Sequence, residues 1–136
     1  MLSVLAAAAC GGGGAAPGQR GSSIYFSDTA AQAISRFDTI TQNTTLALDK
    51  FLGVVGSLTT DGTSIYFTRY GLPAADTWTG EAYRLGATDG AAPTLIASSI
   101  THASDVTLYA GRAVVAQHGR TRATTDTGAL RAFTIR

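Results

Sequence analysis

Lysine and glutamate are nearly missing from this chain: Lys50 is the sole lysine and Glu81 the sole glutamate among 136 residues. Both are strong helix formers, so their scarcity disfavours a helical fold. Threonine, serine, glycine and alanine abound instead, and threonine suits strands while glycine suits turns. Charge is thin as well. Only 14% of residues are charged and the formal net charge is +1, which argues against broad electrostatic capture of nucleic acid or an anionic membrane surface. Cys10 is the only cysteine, which excludes an intrachain disulfide. No apolar run reaches the roughly 20 residues that a spanning helix needs. What is present, 45% hydrophobic residues in a chain sized for one small domain, predicts an all-β body with its own core.

The N-terminus reads as an address. Leu2 to Ala9 form an apolar stretch ending in small residues, Cys10 follows, and Gly11–Gly14, Ala15, Ala16, Pro17 and Gly18 come next. This resembles the end of a bacterial lipoprotein signal, in which small residues precede a cysteine that becomes the lipidated first residue. The resemblance implies a lipid anchor through Cys10, a signal over residues 1–9, a glycine-rich tether over 10–20, and a cell-envelope location, periplasmic or surface-facing. The apolar run is short and no Lys or Arg precedes it, so the expected signal is truncated, with its start upstream of Met1. The alternative is a low-complexity leader with an incidental cysteine.

The body repeats itself. Gly21-Ser22-Ser23-Ile24-Tyr25-Phe26-Ser27 recurs as Gly62-Thr63-Ser64-Ile65-Tyr66-Phe67-Thr68, and more weakly as Gly111-Arg112-Ala113-Val114-Val115-Ala116-Gln117. A second element aligns on Arg36, Arg84 and Arg131, and a third matches Thr45-Leu46-Ala47-Leu48 with Thr94-Leu95-Ile96-Ala97. Asp61-Gly62 marks a hairpin turn, and Thr88-Asp89-Gly90 and Tyr109-Ala110-Gly111 punctuate the rest. One unit therefore reads as four strands near 53–60, 64–69, 81–87 and 94–98.

Four short strands over about 40–50 residues resemble the repeats of bacterial periplasmic and surface β-propellers. The resemblance implies antiparallel four-stranded blades over 21–136: a partial blade at 21–52, a full one at 53–98 and a partial one at 99–136, hence an incomplete propeller. Three outcomes stay open: a fragment of a longer product, a piece that closes by self-association, and an open stack of sheets. On function, the resemblance is consistent with a non-catalytic binding or scaffold module for a protein or glycan partner. The alternative is part of a propeller hydrolase or lyase whose active residues lie outside this chain.

No catalytic set stands out, and no cofactor or metal is expected. His102 and His118 lack zinc-ligand spacing, and no calcium loop occurs. His102, Ser104 and Asp105 form a compact polar group without the logic of a triad. The candidate contact loop is Tyr70–Gly80, where Tyr70, Asp76, Trp78 and Glu81 put aromatic rings beside acids, a combination suited to a sugar or partner. Arg112, His118, Arg120 and Arg122 make a small basic patch, and no nucleic-acid role is expected of it. The repeated arginines are expected to serve the fold by laying their stems over neighbouring strands.

Overall fold

A computed structural model describes residues 7–8 (backbone only), 23–50, 53–71, 79–86, 90–117 and 128–135. Every regular element in them is a β-strand. The strands are β1 (Ala7–Ala8), β2 (Ser23–Asp28), β3 (Ala33–Asp38), β4 (Thr44–Leu48), β5 (Val54–Thr60), β6 (Ser64–Tyr70), β7 (Thr79–Gly86), β8 (Thr94–Thr101), β9 (Ala103–Tyr109), β10 (Arg112–Gln117) and β11 (Ala129–Thr134). They form three antiparallel meanders: β2-β3-β4 with the two-residue β1 at its edge, β5-β6-β7-β8, and β9-β10-β11. None of the three closes on itself.

Strand ends are set by side chains that compete for backbone donors. The Oδ1 of Asp28 accepts from the N–H groups of Ala30 and Ala31, and that of Asp38 from Ile40 and Thr41. Asp61 does the same for Thr63 and Ser64. Each aspartate closes its strand with a local turn, the role for which short acids are suited and glutamate is too long.

The middle sheet is the centre of the molecule because β6 is buried on both faces. Ile65 and Phe67 point one way, into a core shared with Tyr25, Ile34 and Ala47 of the first sheet and with Leu58 and Leu85. Tyr66 points the other way, into a core with Ala82, Ile100, Ala103, Val106, Ala113 and Val115. Thr68 shares that second face, and its hydroxyl is satisfied by the Ser57 N–H at 3.1 Å.

Register shows how the repeats are built. Tyr25 pairs with Arg36 and Arg36 with Thr45, and likewise Tyr66 with Arg84 and Arg84 with Thr94. One step further the ladder slips by a residue in both sheets, bulging Ala47 in the first and Ile96 in the second. The third unit departs from the sequence alignment. Leu58–Phe67, Thr60–Ile65 and Ile65–Leu85 correspond to Val106–Val115, Leu108–Ala113 and Ala113–Phe133, a uniform displacement of 48 residues. The partner of Arg84 by position is therefore Ala132, and Arg131 falls on the opposite face. The turn explains the slip in β10, while the Arg131 match errs by one residue in the opposite direction. Gly62 has φ 91° at the first central position, whereas the matching position is Ala110 at φ 47° and the glycine has moved one place on, to Gly111 at φ 71°. Aligning glycine with glycine shifts the register by one, which inverts every side chain.

Two glycines let the third sheet seat on the second. A Cβ on Gly80 would lie 2.6 Å from the Ala103 Cβ and 2.8 Å from its amide nitrogen. A Cβ on Gly56 would meet the Thr68 Oγ1 at 2.9 Å and the Ala103 and Ser104 carbonyls at 3.0 Å. Gly80→Ala is expected to lower the unfolding free energy by about 1–3 kcal/mol through overpacking. Gly71→Ala, where a Cβ meets nothing within 4 Å, is expected to stay within about 0.5 kcal/mol. Urea midpoints of the two variants make the comparison, and equal midpoints would refute the close approach.

Candidate functional site

The loop proposed for ligand contact rises from the paired ends of β6 and β7. Its base is closed by the Gly71 N–H donating to the Thr79 carbonyl at 3.3 Å. Tyr70 pairs with Gly80 and Arg69 with Glu81 in the ladder. Because side chains alternate, Tyr70 and Glu81 take opposite faces of the middle sheet. They are not brought together. Asp76 and Trp78, like Cys10, His118 and the arginines 120 and 122, lie outside the described residues.

Glu81 is held by its own sheet. One carboxylate oxygen, Oε2, accepts from Arg69 Nη2 at 2.5 Å, Arg69 Nε at 3.0 Å and the Tyr83 hydroxyl at 2.7 Å. The Arg69 guanidinium lies over the Tyr83 ring at 5.6 Å, and that ring stacks on Phe67 with centroids 5.4 Å apart. Burial pushes the Tyr83 hydroxyl up, and its bond to Glu81 pushes it the same way. The group is a packed support for the β6–β7 end. Three donors on one oxygen fix the carboxylate where it stands.

On the other face Tyr70 meets His102 edge-on, with ring centroids 5.4 Å apart. His102 is the single residue between β8 and β9, in the left-handed region at φ 45°. It is the corner where the chain leaves one sheet for the next. The compact group His102, Ser104 and Asp105 disperses among separate partners. Ser104 donates to the Ala116 carbonyl at 3.2 Å, and Asp105 Oδ1 accepts from Ser57 Oγ at 2.5 Å and from the Val106 N–H at 2.8 Å. The Ser57–Asp105 link joins the second and third sheets, and sequence reasoning missed it. The signal was there in Gly56, an isolated glycine inside a strand pattern, which marks a bulge or close approach.

Among the described residues, Asp61 carries the largest electrostatic perturbation. Partial burial works against its charge, but hydrogen bonds from the Thr63 backbone and hydroxyl, the Ser64 N–H and the Tyr66 hydroxyl outweigh this and bring its pKa down to about 2. The Tyr66 hydroxyl, donating to Asp61 Oδ2 at 2.9 Å, is pushed up by burial and by that bond. Asp38 is lowered by the Thr41 and Ile40 N–H groups. These shifts stabilise turns. Among the described residues no three His, Cys, Asp or Glu side chains cluster as a metal site would require. A cleft of about 290 Å³ is lined by Leu46, Ala47, Leu48, Asp49, Gly90 and Ala91, with one carboxylate and no opposing acid or base.

Comparison with protein-family models, curated proteins and solved structures finds no match to this chain.

The Asp61 turn predicts an acid response. A carboxyl depressed in the folded state stabilises above its unfolded value of 3.8, and that contribution fades as pH falls toward about 2. Asp61→Asn is expected to melt below the wild type at pH 6, with the gap narrowing steadily from pH 4 to pH 2. A gap that stays constant across that window would refute the assignment.

Proposed function

We propose that this chain is an exported, lipid-anchored β-repeat module that acts as a non-catalytic scaffold or binding surface in the bacterial cell envelope. Its sheets are read as the blades of an incomplete propeller. The observation that carries the reading is the recurrence of one meander at one register, with bulges in matching places and cores shared between neighbouring sheets. Repeats of this kind bury a continuous core only by stacking on their neighbours, which is the logic of blade and solenoid architectures. The path of the chain agrees. It leaves the fourth strand of the middle sheet and enters the first strand of the next, and β9 lies across β5 and β6.

The acids favour a scaffold over an enzyme. Among the described residues, Asp28, Asp38 and Asp61 hold turns, Glu81 holds Arg69 and Asp105 holds Ser57, which leaves Asp49 at the cleft as the one described acid outside these contacts. A carboxylate already engaged by structural donors is poorly placed to shuttle protons. The partner surface is assigned to the β6–β7 loop, with Tyr70, Asp76 and Trp78 as contact residues for a protein or glycan. Glu81 steadies its base.

Anchoring through Cys10 has a structural consequence. Ala7–Ala8 pairs with β2 in the whole chain, and cleavage before Cys10 removes that strand. The mature first sheet then begins at β2. The test is expression of the full chain in a bacterium with radiolabelled palmitate. Label on the wild type, none on Cys10→Ala, and a mature N-terminus at residue 10 are expected. An unlabelled chain that retains Met1 would refute the anchor. Trp78 is the single tryptophan, so its emission reports on the loop alone. A shift in that emission on titration with envelope glycans is expected, and an unchanged spectrum across a glycan panel would remove glycans as the partner class.

A further inference from the structure

We propose that the two ends of the sheet stack bind each other, so that two copies of this chain associate head to tail into a closed ring of six sheets. This deepens the blade reading above and rests on it.

The argument starts from the two interfaces inside the chain, which are one interface used twice. Each middle-type junction joins a head face to a tail face. The head face of the first sheet offers Tyr25, Ile34 and Ala47, and by register the same positions on the second are Tyr66, Ala82 and Ile96. The tail face of the second sheet offers Leu58, Ile65, Phe67 and Leu85, and that of the third offers Val106, Ala113, Val115 and Phe133, each 48 residues on.

Each end of the stack therefore presents one face whose counterpart is covered elsewhere. The tail face of the first sheet carries Ile24, Phe26 and Phe37, at the positions of Ile65, Phe67 and Leu85. Ile65, Phe67 and Leu85 are all 0% exposed, whereas Ile24, Phe26 and Phe37 are each half-buried. The head face of the third sheet carries Val114, Ala116, Leu130 and Ala132, at the positions of Tyr66, Thr68, Ala82 and Arg84. The contrast is sharpest at Leu130: it is 77% exposed, while Ala82 at the same place in the middle sheet is 1% exposed. A large aliphatic residue stands in the open where the repeat buries a small one.

The occupant that fits both ends is the chain itself. The tail face bears two phenylalanines and an isoleucine, the head face bears a leucine, a valine and alanines, and their kinds already mate twice within the molecule. Contact between unlike faces propagates until a ring closes or a filament grows. Two chains of three sheets supply six, within the typical range of about four to eight for closed propellers.

The experiment is size exclusion with light scattering on the full chain, kept reduced so that Cys10 cannot cross-link, with circular dichroism on each peak. The wild type is expected at twice the 13.9 kDa chain mass with β signal. Leu130→Asp, which alters a side chain exposed in the single chain, is expected to run as a folded monomer. Phe26→Asp blocks the other end, and mixing the two variants restores one junction and hence a dimer. Should Phe26→Asp lose its β signal, Leu130→Asp captured by immobilised wild type reads the same junction through its intact tail. A folded wild-type monomer, or a Leu130→Asp that stays dimeric, would overturn the second-copy inference and leave the repeat module standing. A wild type without cooperative β structure would overturn the module itself.

Discussion

Burial of β6 on both faces is the constraint from which the rest of the molecule follows. A strand covered on one side needs alternating apolar and polar residues, but one covered on both needs every residue to be accommodated. Ile65, Tyr66, Phe67 and Thr68 are all at or below 1% exposure, so the polar members must be satisfied locally. The Tyr66 hydroxyl reaches Asp61 and the Thr68 hydroxyl takes the Ser57 N–H. The Asp61 turn and the register shift in β5 between Val55 and Leu58 are thus obligations created by β6, since an unpaired buried polar group costs roughly 1–3 kcal/mol.

The third sheet can serve as the second cover only because it comes close. Gly56 and Gly80 leave room for Ala103 and the backbone around it, and His102 turns the chain into that position within one residue. Once β9 is seated, Ser57 and Asp105 tie its edge to β5. The same approach places Tyr70 against His102, which steadies the base of the loop assigned to partner contact.

The all-β class and the strands from β5 to β7 were legible in the sequence, because Ile65–Thr68 is a strand-forming run bounded by an Asp-Gly turn. Repetition was legible too, since Tyr25, Arg36 and Thr45 keep their order in Tyr66, Arg84 and Thr94. The register of the third unit was not. A two-residue turn accepts glycine at either central position, so glycine cannot fix register by itself, and Arg131 lies one residue from the true counterpart of Arg84. The candidate site was least legible. Tyr70 and Glu81 look adjacent across a loop, yet alternation along paired strands sends them to opposite faces. Gly56 marks a close approach beside Ser57, but it does not name Asp105, which is distant in sequence and close only through sheet stacking.

The constant spacing of 48 residues between the second and third sheets has a consequence for heredity. When equivalent positions keep one interval and one pairing register, copying or losing a segment of that length in frame joins like to like. Each new layer meets a tail where a tail is expected and a head where a head is expected, because each layer touches only its neighbours. A gene of this kind changes the number of its layers more readily than the shape of any one of them. Selection can then set the number of stacked sheets by recombination and leave the packing of each sheet to point mutation.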